Sequence, residues 1–255
     1  MEYLIGFVIA VFIALTGVGA GTITVPVLIL FLKVPPQTAV AIGLMFATSV
    51  KLILVPSQIA RRNVVWRTLG FMLLGGVPGV LLGALFLQHL VTKGETNTLN
   101  AILGAILVST SGFQIFSFFH AREDNGSRPD RSPLLAWLMF PVGAEVGFSS
   151  AGAGALGSAA LLSLTPMEPA RVVGTDILFG FVVSLIGTGA HWFSHASDPS
   201  LLIKLIAGGV VGAIAGTLVS TRVPRRPLRL ILWVWLLVLG VQFLFNSYQV
   251  WAAGR

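Results

Sequence analysis

The chain has no cysteine in its 255 residues, which excludes a small secreted domain stapled by disulfides. Charge is scarce as well. Only 10% of the residues are Asp, Glu, Lys or Arg, against about 25% in an ordinary soluble domain, so a disordered chain and a typical soluble enzyme are both excluded. No Gly-x-x-x-x-Gly-Lys-Ser/Thr phosphate loop occurs, so nothing in the chain is built to spend ATP. Met1-Glu2-Tyr3 offers no basic n-region, and no polar cleavage region follows the first apolar run, so no cleavable signal peptide is expected. What the chain has instead is oil: 55% hydrophobic residues and a mean hydropathy of +0.92. One soluble core of this size cannot hide that surplus, and the fold class expected is an all-α polytopic membrane protein.

Eight apolar segments carry it: Tyr3–Leu32, Ala39–Ala60, Thr68–Val91, Thr98–Phe119, Leu134–Leu164, Pro169–Phe193, Ser200–Ser220 and Leu228–Val250. Six have the length that crosses a hydrocarbon core of roughly 30 Å at about 1.5 Å per residue. The first and fifth would overshoot it as straight rods. Each is interrupted centrally, the first by Gly17, Gly19, Gly21 and Pro26, the fifth by Gly143, Gly147, Ser149, Ser150, Gly152, Gly154 and Gly157. Glycine and proline at that density predict helix breaks.

The chain also repeats itself. Gly75-Gly76-Val77-Pro78-Gly79 with Gly83 recurs as Gly208-Gly209-Val210-Val211-Gly212 with Gly216, at an offset of 133 residues. Gly19-Ala20-Gly21 falls on Gly152-Ala153-Gly154 at the same offset. A two-residue shift between these anchors puts Ala39 and Gly43 on Ala170 and Gly174. The chain reads as an N-terminal repeat (1–121), a cytoplasmic linker (122–133) and a C-terminal repeat (134–255). Each repeat is one broken segment followed by three spans.

Basic residues set the orientation. If all eight segments simply cross, Lys and Arg divide 8 against 7 between the two sides. If segments one and five enter and leave on one face, the division becomes 11 (Arg61, Arg62, Arg67, Arg122, Arg128, Arg131, Arg171, Arg222, Arg225, Arg226, Arg229) against 4 (Lys33, Lys93, Lys204, Arg255). The second arrangement obeys the positive-inside rule. It makes segments one and five re-entrant or doubly crossing hairpins, inverts one repeat relative to the other, and places both termini outside. The setting is a cell (inner or plasma) membrane, with basic loops cytoplasmic and in contact with anionic lipid. No soluble basic domain exists for nucleic acid to bind.

Backbone unwound at membrane depth needs protein or a watery cavity around it, and a half-helix N-terminus there suits an anion. The expected substrate-binding set is Gly19, Gly21, Thr22, Thr24, Lys51, Ser149, Ser150, Gly152, Gly154 and Thr175. Gly75, Gly76, Gly79, Gly83 and their counterparts read as packing faces. Lys51, Glu145 and Asp176 are ionisable groups within spans, where a charge costs at least roughly 2.5 kcal/mol. Lys51 is either an anchor for an anion or a partner for Glu145 or Asp176. Asp176 is either a coupling carboxylate or a partner for Arg171, and Glu145 just before the break is a lesser coupling candidate. Gln58 and His191 stand at equivalent positions, 133 apart, and His191 can titrate near neutral pH. Asp176, His191 and Gln58 form the expected coupling set. No catalytic, metal or cofactor residues are expected.

These residues together resemble the TauE/SafE family, the sulfite-exporter-like membrane permeases. The resemblance rests on Gly17-Val18-Gly19-Ala20-Gly21 leading to Pro26, Ala39 to Gly43, Arg61-Arg62-Asn63-Val64-Val65-Trp66, and Gly75 to Gly83. In the second half it rests on Gly174-Thr175-Asp176-Ile177 and on Gly187 to His191. Val65 departs from the family, in which an acidic residue is frequent there. The resemblance spans essentially the whole chain. It implies movement of a small sulfur-containing or organic anion, such as sulfite or an organosulfonate, with Asp176 and His191 as site candidates. The expected function is a secondary transporter of a small anion working by alternating access, with room for a homo-oligomer. The alternatives from other classes are a passive anion channel and an intramembrane serine hydrolase using Ser149 or Ser150 with His191. The latter lacks the Gly-x-Ser-Gly spacing of a rhomboid-like protease.

Overall fold

The computed structural model describes residues 2–16, 19–119, 130–151, 154–192, 199–219 and 225–253. These form ten α-helices: α1 (Glu2–Thr16), α2 (Ala20–Phe31), α3 (Pro36–Ala60), α4 (Trp66–Thr92), α5 (Thr96–Phe119), α6 (Leu135–Ser149), α7 (Ala155–Leu164), α8 (Pro169–Trp192), α9 (Pro199–Val219) and α10 (Arg225–Ala253). A short 3-10 turn, Ser132–Leu134, leads into α6. Six of the helices are long and apolar enough to cross a membrane: α3, α4, α5, α8, α9 and α10. The chain is a multi-pass helical membrane protein. Many of its largest apolar side chains face outward, among them Leu74, Phe116, Leu218 and Ile231. That is the expected arrangement where lipid, not water, is the solvent.

Segments one and five are indeed broken. α1 and α2 part around Gly19, and α6 and α7 part between Ser149 and Ala155. Pro26, Pro56, Pro78 and Pro141 sit inside helices without ending them, and Gly143, Gly147 and Gly157, expected to interrupt segment five, likewise lie within α6 and α7. Proline begins α3, α8 and α9, where its missing N–H costs nothing.

The halves embrace by exchange. α1 lies along α9, and α6 lies along α4. Both seams are lined with glycine. A Cβ built on Gly75, Gly79 or Gly83 would overlap the backbone of Ala136, Phe140 or Ala144. A Cβ on Gly208 or Gly212 would overlap Tyr3 or Phe7. Ala136 and Tyr3 are themselves 133 apart, as are Phe140 and Phe7. Corresponding positions therefore make corresponding contacts, each with the opposite half. The small residues are the packing faces expected, and they let backbones approach closely enough for dispersion to hold the seams.

One detail of the repeat is corrected. Phe179 packs on Gly76 and Phe46 packs on Gly209, while Pro36 and Pro169 open α3 and α8. Both pairs keep the 133 offset. The two-residue shift that matched Ala39 and Gly43 to Ala170 and Gly174 is not followed by the helices. Helix starts and packing contacts fix the alignment, and Gly43 corresponds to Asp176.

Two further pairs cross antiparallel. Along α3 and α8, Thr48 meets Thr188 (Oγ1 to Oγ1, 3.3 Å), and the Val65 N–H just beyond α3 donates to Thr175 Oγ1 at 3.0 Å. Along α5 and α10, Asn97 Nδ2 donates to the Ser247 carbonyl at 3.1 Å, and Gly104 packs against Phe243. Further along, a Cβ on Gly240 would stand 3.0 Å from Leu107 Cβ. Leu107 and Gly240 are counterparts at the 133 offset, so here a position touches its own equivalent. The α3–α8 register puts Lys51 opposite Leu185, next to its own counterpart Ser184. These two crossings mark the centre of the molecule.

Candidate functional site

The two breaks meet each other. Gly19, extended at φ −56° and ψ 135°, precedes α2. A Cβ on it would lie 3.2 Å from the backbone nitrogen of Gly154. Ser150 ends α6 in the left-handed region at φ 63°, a conformation that costs a serine energy and is held by its surroundings. Its backbone is so close to Gly21 that any side chain there would overlap the Ser150 carbonyl. Its hydroxyl lies against Gly43 of α3, is buried, and has no hydrogen-bond partner. Gly21, Thr22, Ser149, Leu103 and Leu107 line one small recess beside this meeting point.

The hydroxyls near the breaks are only partly committed. Ser149 Oγ donates to the Glu145 carbonyl at 2.9 Å and accepts the Ala151 N–H at 3.2 Å, which fixes the turn out of α6. Thr24 Oγ1 donates to the Ala20 carbonyl at 2.7 Å, a bond within α2 that turns its hydroxyl toward its own helix. The Thr22 N–H donates to the Gly19 carbonyl at 3.1 Å, closing the first turn of α2. Gly152 lies outside the described residues.

Lys51 is 9% exposed, on the core side of α3. It forms no contact ion pair with Asp176. Asp176, 5% exposed, accepts a hydrogen bond from Ser158 of α7 at 2.7 Å. It presses on Gly157 so closely that a Cβ there would collide with Oδ1. The pairing of Asp176 with Arg171 does not occur; Arg171 is exposed, and Oδ1 of Asp176 has no partner.

The remaining candidates lie away from the meeting point. Thr175 is fully buried and receives the Val65 N–H, so its hydroxyl splices the start of α4 to α8. Gln58 Oε1 accepts a hydrogen bond from Asn63 Nδ2 at 3.0 Å, where α3 gives way to the loop before α4. Buried His191 places Nε2 3.0 Å from the Gly147 carbonyl, one turn before the break in α6. The structure thus gathers Gly19, Gly21, Thr22, Ser149, Ser150 and Gly154 at the breaks, with Gly43 the α3 residue against them and Lys51 about two turns further along α3. Thr175, Asp176 and Gln58 stand toward one end of the α3–α8 pair, and His191 toward the other.

Two features escaped the sequence reading. Arg229, near the start of α10, donates from Nε to the Thr16 carbonyl at the end of α1, so a residue counted only as a loop charge also caps a half-helix. α5, read as a plain span, carries buried polar atoms without partners on Asn100, Ser111 and Gln114. The polar residues in an apolar span were the available signal.

The start of α2 and the residues Thr22, Ser149 and Ser150 thus border the closely packed backbone where the breaks meet.

The family described as Sulfite exporter TauE/SafE matches residues 3–243. The probable membrane transporter protein YjnA of Bacillus subtilis (strain 168) is 27% identical over 251 residues, covering 94% of this chain and 98% of that protein. No solved structure matches. With that match running from α1 into α10, over paired broken helices inside a shell of apolar spans, the chain belongs to the sulfite exporter TauE/SafE family of membrane transporters.

Proposed function

We propose that this protein is a secondary transporter of a small anion, sulfite or a related sulfur-containing or organic anion, working by alternating access. The observation that carries the reading is the meeting of the two breaks, Gly19 against Gly154 and Gly21 against Ser150. The anion sits against the α2 N-terminus, with hydroxyls from Thr22, Ser149 and Ser150 and the Lys51 ammonium supplying donors. Asp176 and His191 exchange protons during the cycle, and Gln58 holds the corresponding place in the first half. The family description supplies sulfite as the first anion to try; the relative's name says only that it is a probable transporter.

In this reading the halves 1–121 and 134–255 are inverted repeats in the membrane, and residues 122–133 link them on the cytoplasmic side. Support comes from the antiparallel crossing of the counterparts α3 with α8 and α5 with α10, and from the positive-inside count. Rocking one half on the other at these crossings opens the breaks first to one side and then to the other. The protein lies in the cell membrane, with basic loops inside and both termini outside.

The test is uptake by proteoliposomes of purified protein, screened with sulfite, sulfate, thiosulfate, sulfonates and carboxylates. A carrier saturates with at least one of them. Unsaturable flux that dissipates an imposed potential identifies a channel and refutes alternating access.

A further inference from the structure

We propose that Ser150 selects what the anion site accepts: its hydroxyl binds one oxygen of an oxyanion whose second oxygen rests on the first turn of α2. The inference deepens the transport reading above and rests on it. It narrows the substrate class to anions that carry two or more oxygens on one centre, such as sulfite, a sulfonate or a carboxylate. Contacts place the hydroxyl. A Cβ on Gly21, in the first turn of α2, would overlap both the carbonyl and the hydroxyl of Ser150. A Cβ on Gly43 of α3 would lie 3.1 Å from Ser150 Oγ. The hydroxyl is therefore held between α3 and the start of α2. Ser150 is 5% exposed, and its Oγ has no hydrogen-bond partner. No side chain caps the 12-residue α2, whose N-cap position is Gly19. Two features thus face each other: a helix start with its partial positive charge, and a buried hydroxyl with a proton to give.

The backbone shows that this serine is kept at a cost. Ser150 adopts φ 63°, a region that glycine occupies freely and other residues enter with strain. Glycine is plentiful around both breaks, and the counterpart of Ser150 at the 133 offset is Gly17. A glycine at 150 would relieve the strain and lose only the hydroxymethyl group, so the hydroxyl is what the strain retains. Its neighbours do not offer the same group. Ser149 Oγ is spent on the Glu145 carbonyl and the Ala151 N–H, and Thr24 Oγ1 on the Ala20 carbonyl. Because Gly21 and Ser150 touch, loading requires the breaks to part, and the anion then bridges the two surfaces that separate. An oxyanion offers a different acceptor atom to each surface. A halide has a single centre, and donors spaced for two atoms cannot both reach it at good distance. Removing the hydroxyl therefore costs an oxyanion more than a halide.

The test is equilibrium binding to the purified full chain, native, S150A and S150G, with sulfite, methanesulfonate, acetate and bromide as probes. The native protein should bind at least one of the three oxyanions, and bind it at least tenfold more tightly than bromide. Both variants should lose at least tenfold in affinity for that oxyanion, and the gap to bromide should close. Melting temperature without any anion separates this loss from misfolding: S150G, relieved of the strain, should melt no lower than the native protein and no lower than S150A. Native affinity in both variants overturns the proposal. So does an equal loss for oxyanion and bromide, or an S150G that melts well below the native protein, since either makes Ser150 a structural residue. If the native protein binds none of the three oxyanions, the transport reading falls and this proposal with it. Native binding that both variants retain removes this proposal alone.

Discussion

At the scale of single residues, the site is defined by where a side chain is forbidden. Gly157 is small because Asp176 occupies the space that a Cβ would fill. Gly157→Ala should push the carboxylate off Ser158 and cost about 1–3 kcal/mol by overpacking, read as a lowered melting temperature in detergent. Gly70→Ala and Gly112→Ala are the internal controls. Nothing lies within 4 Å of either Cβ position, so each should be neutral or stabilise by up to about 1 kcal/mol through helix propensity. Lys51→Ala tests the anion site. Sulfite binding by the purified protein should fall at least tenfold while the yield of folded protein stays within about twofold. Equal losses in both would make Lys51 a structural residue. The sequence alone marked Lys51 and Asp176 as unusual, because a charge inside an apolar span is conspicuous. It also offered Arg171 as one possible partner for Asp176, by their nearness in the chain. Folding chose Ser158 instead, a partner 18 residues away on another helix, which local spacing does not reveal.

At the scale of helices, glycine has two uses here that look alike in the sequence. In α4 and α9 it lines seams; around Gly19 and Gly154 it ends helices. The distinction was legible only in part: segment length located the two breaks, but Gly143 and Gly147, read as interruptions, lie within α6 and pack on Gly76 and Val80 of α4. Span boundaries were legible, since an apolar run ends where lipid ends. The α3–α8 crossing was not, because antiparallel register depends on which faces meet. It can be checked directly: with no native cysteine to interfere, the pair Thr48→Cys and Thr188→Cys should form a disulfide under mild oxidation, and Thr48→Cys with Ser184→Cys should form it less readily. Entry into α6 makes a separate point about acid. The Ser132 N–H donates to Asp130 Oδ1 at 3.0 Å, and this bond first of all holds the Asp130 carboxyl below its usual range. A depressed folded pKa contributes stability above the unfolded value and loses it as pH falls through the folded one. Amide exchange at Ser132 should therefore quicken on acidification near the lower end of the carboxylate range, and Asp130→Ala should exchange fast at every pH.

At the scale of the whole molecule, orientation is the property that most constrains function. Cysteines placed one at a time at Lys33 and Lys93 should react with an impermeant maleimide from outside intact cells, and those at Arg62 and Glu168 only after permeabilisation. Any exchange between the two groups refutes the inverted arrangement. The repeat itself was read from two glycine anchors at one offset, Gly75 on Gly208 and Gly19 on Gly152, while the third, Ala39 and Gly43, was misaligned by two residues. How the halves interlock was not, because an offset says that two stretches are alike and is silent on which touches which. The interlock has a cost in biosynthesis. α1 is made first, yet the surface it lies against, α9, is made almost at the end. For most of translation a short helix with a half-finished turn has no partner and must wait among lipids or in the keeping of an insertion factor. Neither half-gene expressed alone should yield a stable product, whereas the two halves expressed together as separate chains have every seam they need.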